Sequence, residues 1–247
     1  MEATRDAILY GLLHIWQPLK GPRVSVDSVL LAWYARIKPG ERAIELGSAH
    51  GAVSLILAKR YPECSIEGIE IQEELVKLAR LNAAENGLAD RVSFHCRDLR
   101  QVQHFYRNQS FHVAVANPPY GEILSSRASP VWSEAVAKGG LLCSLDDVAR
   151  SARHLLRHGG RLYMVYSARR LSSLMVTLRR HDLEPKRLKA VHPKPEKEAS
   201  VVLLEARMKG GEGLIVEPPL YIYDERGKYT DELLSAYSLE GQAPCHS

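Results

Sequence analysis

The four cysteines of this 247-residue chain (Cys64, Cys96, Cys143 and Cys245) are scattered, and none forms a Cys-x-x-Cys pair. Neither a zinc site nor a disulfide framework is therefore indicated, and no metal is expected. No apolar run approaches the length of a bilayer span, and the first residues lack the basic-then-apolar layout of a secretory signal. Internal repeats and low-complexity segments are missing as well. Net charge is only +4, so the distribution of charge matters more than its total. A cytoplasmic protein with reduced thiols and no membrane partner is the economical expectation; on oligomeric state the sequence is silent. What is present, 45% hydrophobic and 25% charged residues, is ordinary for a soluble globular chain long enough for one large α/β domain with additions.

The most informative stretch runs from Phe111 to Tyr120. A valine-rich run fit for a buried strand ends abruptly in Asn117-Pro118-Pro119-Tyr120. Neither proline can donate a ladder hydrogen bond, and each biases its predecessor toward extended backbone. The product is a stiff shelf at a strand's carboxyl end, carrying an amide, backbone carbonyls and a ring. An exocyclic adenine amine or a side-chain amide is a poor nucleophile because its lone pair is delocalised. Acceptors at the Asn117 side chain and the Pro118 carbonyl, aimed at its two N–H groups, would favour a pyramidal nitrogen, and Tyr120 could stack on the flat group. Taken alone, the same four residues also suit an ordinary proline-stiffened loop.

Upstream, strand and helix signals alternate. Within Arg42 to Gly51 a short strand runs into a glycine-spaced turn, and a helix follows from about Ala52 to Arg60. The turn reads Glu45-x-Gly47-x-Ala49-x-Gly51, unlike the Gly-x-Gly-x-x-Gly of dinucleotide folds, and Ala49 implies a negative φ at its centre. A second strand, Ser65 to Ile71, ends in Glu70, a carboxylate placed to accept two ribose hydroxyls or simply to be solvated. A helix from Glu73 to Asn86 and a strand from Val92 to Cys96 lead to Asp98, which could accept from an adenine amine. Ahead of this core, Thr4 to His14 suits a short helix or strand, and Asp27 or Ser28 can cap a helix covering the sheet. Beyond it, residues 121–144 form a long irregular connection beside the shelf, a candidate lid. A helix from Leu145 to Leu156 ends at Gly159-Gly160, and a strand (Arg161 to Ser167) and a helix (Arg169 to His181) follow. Strands Leu183 to Val191 and Ser200 to Met208 suit an edge hairpin. The expected division is 1–40 as extension and capping helix, 41–209 as core, and 210–247 as a tail folded back on it.

Three stretches carry a family resemblance: Arg23 to Leu31, the Asn117 to Tyr120 shelf, and the ending. The ending comprises Lys209-Gly210-Gly211, Glu217 to Tyr223 and Gly227 to Glu232. Over roughly Val24 to Met208 the chain resembles class I S-adenosylmethionine-dependent methyltransferases, and within them it is similar to the bacterial valine-tRNA adenine-N6 methyltransferases. The resemblance implies an α/β fold with a Rossmann-like seven-stranded sheet and helices on both faces. It implies S-adenosylmethionine as cofactor and an adenine beside the anticodon of tRNA as target. Glu45, Gly47, Ala49 and Gly51 would line the methionine and ribose side of the cofactor, with Asp27 near its methionine end. Glu70 with Ile71 would hold the ribose and Asp98 with Leu99 the adenine; Asn117, Pro118, Pro119 and Tyr120 would be the catalytic shelf. Transfer would be direct, without metal or covalent intermediate.

The shelf itself fixes the reaction rather than the substrate, so a glutamine-amide methylase acting on protein stays open, as does an RNA-binding module with a vestigial cofactor pocket. Charge favours RNA. Seven basic residues between Arg179 and Lys197 face only Asp182, Glu184 and Glu196, leaving this segment at +4. Lys194 and Lys197 lie in its turn, and Arg169 and Arg170 follow another strand end. These four are the candidate RNA contacts, against the plainer alternative of a solvated edge hairpin.

Overall fold

The computed structural model describes residues 1–118 and 143–239. Pro119, Tyr120 and nearly all of the expected lid lie outside the described residues. Eleven strands and six α-helices are seen among those described. The strands are β1 (Ala3–Ile8), β2 (Leu13–Pro18), β3 (Arg42–Leu46), β4 (Ser65–Glu70), β5 (Val92–Cys96), β6 (Phe111–Ala116), β7 (Leu156–Ser167), β8 (Leu183–His192), β9 (Val201–Met208), β10 (Ile215–Val216) and β11 (Leu220–Tyr221). The helices are α1 (Val26–Tyr34), α2 (Ala52–Arg60), α3 (Glu73–Glu85), α4 (Leu145–Leu155), α5 (Leu171–Arg180) and α6 (Asp231–Tyr237).

The main sheet runs β10-β8-β9-β7-β6-β3-β4-β5, with β11 also paired to β8. Strands β3 to β7 are parallel, whereas β9 runs antiparallel between β7 and β8. The chain passes from β3 to β4 and β5 on one side, then returns to place β6 against β3's other edge, pairing Leu46 with Ala116. That reversal is the point at which open α/β sheets bind ligands. Alternation along each strand feeds two cores. Val113, Val115, Tyr163 and Val165 face α1, α2 and α3. Ala114, Ala116, Leu162 and Met164 face α4 and α5.

The chain departs from its sequence expectations in four places. The ambiguous N-terminal segment is an antiparallel hairpin, β1–β2, outside the main sheet. Its free edge is met by side chains: Asn82 on α3 exchanges hydrogen bonds with Trp16 N–H (2.7 Å) and Trp16 carbonyl (2.9 Å). Asn86, one turn on, does the same for His14 at 2.9 and 2.7 Å. Two amides spaced i, i+4 thus replace a strand. Second, Ser25, neither Asp27 nor Ser28, caps α1 by accepting from Ser28 N–H. Third, α4 ends at Leu155 and β7 begins at once, so Gly159-Gly160 sits in an irregular stretch of that strand rather than closing the helix. Fourth, the seven expected strands are present as β3 to β9, and the tail adds β10 and β11 beside β8.

Asn82 also donates to the carbonyl of His50 at 2.9 Å, tying hairpin, α3 and glycine turn together. Asn82→Ala would leave three backbone groups unmatched, at about 1–3 kcal/mol for each that stays buried and unpaired. Urea denaturation should show a loss of at least about 2 kcal/mol. A loss below about 1 kcal/mol would mean that the hairpin reorganises freely.

Candidate cofactor and acceptor site

A cleft of about 340 Å³ opens at the carboxyl ends of β3, β4 and β6. Its floor and rim bring together Asp27, Gly47, Ala49, Glu70, Ile71, Asp98, Leu99, Asn117 and Pro118, all singled out from sequence. Beside it lies a smaller chamber of about 110 Å³. Gly47, Ala49 and Asn117 border both cavities, as do Pro22 and Ser25 ahead of α1.

Glu70 shapes the cleft. Its Oε2 accepts from Ala49 N–H (3.0 Å) and its Oε1 from Gln72 N–H (2.9 Å). Gly47 and Ser48 N–H both donate to Ile69 carbonyl at 2.9 Å, so the glycine turn is laid across the end of β4. The expected negative φ at Ala49 is wrong: φ is +46°, with Gly47 at +77° and Gly51 at +87°. A left-handed alanine costs about 1–2 kcal/mol. The charge-assisted bond from its N–H, worth about 1.5–3 kcal/mol, is enough to hold it.

One further expectation about this turn needs correction. Gly51 borders neither cavity. A Cβ there would sit 2.6 Å from the Phe94 ring and 3.1 Å from Ala79, so glycine is required for packing under α2. Glu45 does not reach the cleft but points into the smaller chamber, where it accepts from Ser54 N–H (3.0 Å) and Ser54 Oγ (2.5 Å). Asp98 does line the cleft, but Arg100 grips both its oxygens at 2.7–2.9 Å and holds its carboxyl below the usual range. Any adenine amine must share that acceptor.

Sequence reasoning missed Ser48 and His50. Both are buried beside the smaller chamber, and the Ser48 hydroxyl and both His50 ring nitrogens have no hydrogen-bond partner among the described residues. Burial, then the charge of Arg23, pushes the His50 imidazole down to about 4, so it is neutral near pH 7. Orphaned polar atoms are costly, and these three leave the chamber wall able to bond a polar group or water placed there. The only signal was a histidine inside a glycine-spaced turn. Cys143 also lines the cleft, but burial raises its thiol to about 11, so it offers no thiolate.

The basic run does not form one surface. Arg187 lies between Glu205 and Glu217, Lys189 meets Glu232 at 2.9 Å, and Arg179 pairs with Glu184 and Glu212. Lys186 is held by the carbonyls of Gly211 and Glu212. Arg169, Arg170, Lys194 and Lys197 stay at the sheet end that carries the cleft, because β7 ends at Ser167 opposite Val201, where β9 begins. Arg169 and Lys197 are exposed, with Arg169 weakly paired to Glu198 at 3.9 Å.

Burial raises the Glu45 carboxyl to about 8 against the hydrogen bonds from Ser54. The unfolded chain releases this proton near 4.5, whereas the folded chain keeps it. The group's contribution to stability is therefore complete below that value and lost as pH rises through about 8. Glu45→Gln keeps an acceptor for Ser54 and cannot ionise. Between about pH 5 and 8, wild-type stability should fall relative to Glu45→Gln by at most about 1.4 kcal/mol per pH unit. Parallel profiles in denaturant titrations would show that Glu45 is already ionised.

A methyltransferase domain family matches residues 37–203. The tRNA1(Val) (adenine(37)-N6)-methyltransferase of Porphyromonas gingivalis is 31% identical over 191 residues, covering 75% of this chain and 74% of that protein. The protein of the same name from Aeromonas hydrophila is 27% identical over 217 residues, covering 87% and 89%. A crystal structure described as a predicted O-methyltransferase from Agrobacterium tumefaciens superposes with a TM-score of 0.70 at 20% identity, covering 86% of this chain and 97% of that one. TrmN from Thermus thermophilus gives 0.54 at 21% identity, covering 73% and 48%. The strand order, the cleft at its reversal and these matches agree: the chain belongs to the methyltransferase domain family, in the branch of the tRNA1(Val) adenine-N6 enzymes.

Proposed function

We propose that the chain transfers a methyl group from S-adenosylmethionine to the exocyclic N6 amine of an adenine in tRNA. The observation that carries this is the position of Asn117. It leaves the carboxyl end of β6, directly across the reversal from the glycine turn, and borders both cavities at once. The residues present fit the cofactor. Glu70 offers carboxylate oxygens at a strand end to a ribose, and Ile69, Ile71 and Leu99 supply an apolar wall for an adenine. The smaller chamber, with Ser48, His50 and Ser28, suits the polar amino-acid end, and Asp27, which lines the cleft, would approach that end.

When bound, the cofactor supplies an electrophilic methyl on a sulfonium. The chain supplies position and polarity. The Asn117 side-chain oxygen and the Pro118 carbonyl accept from the two N–H groups of the target amine, freeing its lone pair for in-line attack. Tyr120, by its place in the sequence, provides the ring against which the extruded base rests. Arg169, Arg170, Lys194 and Lys197 contact the phosphate backbone. Cys143 offers no thiolate to this transfer, since burial raises its thiol to about 11.

Asn117→Ala should lower turnover on tRNA by about 10²–10³ while leaving the dissociation constant for S-adenosylmethionine within a few-fold. A variant with near wild-type turnover would sink the assignment. Glu70→Ala should weaken cofactor binding by at least tenfold in calorimetry, the equivalent of about 1.4 kcal/mol. Asp98→Ala should weaken it less, because Arg100 already occupies that carboxylate. Labelled S-adenosylmethionine with unmodified bulk tRNA, followed by nucleoside analysis, tests the substrate. Label appearing in a glutamine side chain of added protein instead would transfer the reading to amide methylation.

A further inference from the structure

The ending Gly227 to Glu232, prominent in the sequence, has no part in the site described so far. In the structure it closes a tight turn in which Tyr223 and Tyr229 pair across an antiparallel bridge. Their rings stack at 5.1 Å with an interplanar angle of 21°. The turn is rigid: Asp224 Oδ1 accepts from Arg226 N–H at 2.9 Å and Lys228 N–H at 2.8 Å, and Gly227 adopts φ +76°. It is also anchored. Tyr223 N–H donates to Pro193 carbonyl at 3.0 Å, and Ile222 N–H to His192 carbonyl at 2.9 Å. The stacked pair therefore stands beside the turn of Lys194 and Lys197, at the cleft end of the sheet. Tyr229 nevertheless leaves 51% of its surface to solvent.

A third ring approaches from the other terminus. Leu9, Tyr10 and Gly11 are all left-handed, with φ of 49°, 54° and 87°. Leu9 is buried, which explains why the chain turns so sharply there. It does not explain Tyr10, which is 72% exposed where asparagine or glycine would adopt the same backbone at lower strain. Strain combined with an exposed ring points to function. Tyr10 and the stacked pair all lie within electrostatic reach of Tyr237 on α6. Burial raises that phenol, and Tyr229, Tyr10, Tyr223 and Asp27 all act on it. The helix α6 packs on α1, whose first turn delivers Asp27 to the cleft.

We propose that Tyr10, Tyr223 and Tyr229 form a stacking platform for unpaired bases of a nucleic-acid loop whose target base enters the cleft. This rests on the tRNA reading above and adds to it the surface that holds the loop: exposed rings outside the cleft. At the rings themselves the charges balance, so stacking adds to the phosphate contacts of Arg169, Arg170, Lys194 and Lys197 instead of replacing them. Lys194, Lys197, Arg226 and Lys228 are interleaved with Glu196, Glu198, Asp224 and Glu225, which leaves the two turns without net charge. Flat rings hold any base in sequence, and single-stranded binding modules use them in this way.

The test uses the full chain with tRNA transcripts. Tyr229→Leu and Tyr10→Leu keep apolar bulk but lose the flat face, whereas Tyr229→Phe keeps it. Each leucine variant should raise KM for tRNA by about tenfold at both low and high salt, with unchanged S-adenosylmethionine affinity and unchanged melting temperature. The phenylalanine variant should behave as wild type. Leucine variants within twofold of wild type, or no better and no worse than Tyr229→Phe, would overturn the platform. So would a Tyr229→Leu effect confined to low salt, or one that converts a dimer into a monomer with KM unaltered. If the wild-type enzyme methylates no tRNA, it is the tRNA reading that fails. In that case, equal retention of a labelled single-stranded RNA by wild type and Tyr229→Leu would overturn the platform as well.

Discussion

Glu70 is a single buried carboxylate on which the geometry of the cleft depends. Backbone N–H groups from two different segments converge on it, Ala49 from the glycine turn and Gln72 from the start of α3. Without those two bonds the turn would have no reason to keep a left-handed alanine. With them, the bond to the charged acceptor is worth more than the strain, by about a kcal/mol. The fixed turn then allows Gly51 to approach Phe94 and α2 to start beneath the cleft. It also sets the wall opposite Asn117. Because β6 returns to the free edge of β3, the amide and the turn face each other without any flexible connection between them. Cofactor geometry and acceptor geometry are thereby set by one hydrogen-bonded corner of the sheet.

Much of this was legible in the sequence, for reasons particular to each element. Strands β3, β4, β5 and β6 and helices α2 and α3 carry buried runs or helical periodicity bounded by glycine and proline, and the structure follows them closely. Residues at strand ends were legible too, because chain order alone places Glu70, Asp98 and Asn117 at one end of a parallel sheet. The glycine turn was not. Its spacing announces a ligand-approaching loop but cannot say which side chains face the ligand, so Gly51 was assigned to the cavity wall and His50 was passed over. The sign of φ at Ala49 was hidden for a related reason: it is decided by Glu70, more than twenty residues away. The N-terminal hairpin was ambiguous because its free edge is satisfied by Asn82 and Asn86, whose roles depend on contacts more than sixty residues distant.

The basic run shows how charge read in sequence changes meaning once the chain closes. Left alone, β8 would be an edge strand with an open row of backbone groups. The tail covers it by parallel pairing, Ile215 with Arg187 and Leu220 with Val191. That covering buries Lys189 and half-buries Arg187, and cations so shielded must be matched. Glu205 from β9 and Glu217 and Glu232 from the tail match them, and Arg187 also lies 4.9 Å over the Tyr34 ring of α1. Most of the run is therefore consumed in fastening the tail to the sheet. Fastening has a second effect, because the register that brings Leu220 to Val191 also brings Tyr223 to Pro193, at the sheet end where the cleft opens. Most of the charges that looked like a nucleic-acid surface instead hold the tail in place, with Tyr229 exposed beside Arg226 and Lys228, and the proposed ring platform adds to the proposed phosphate contacts without replacing them.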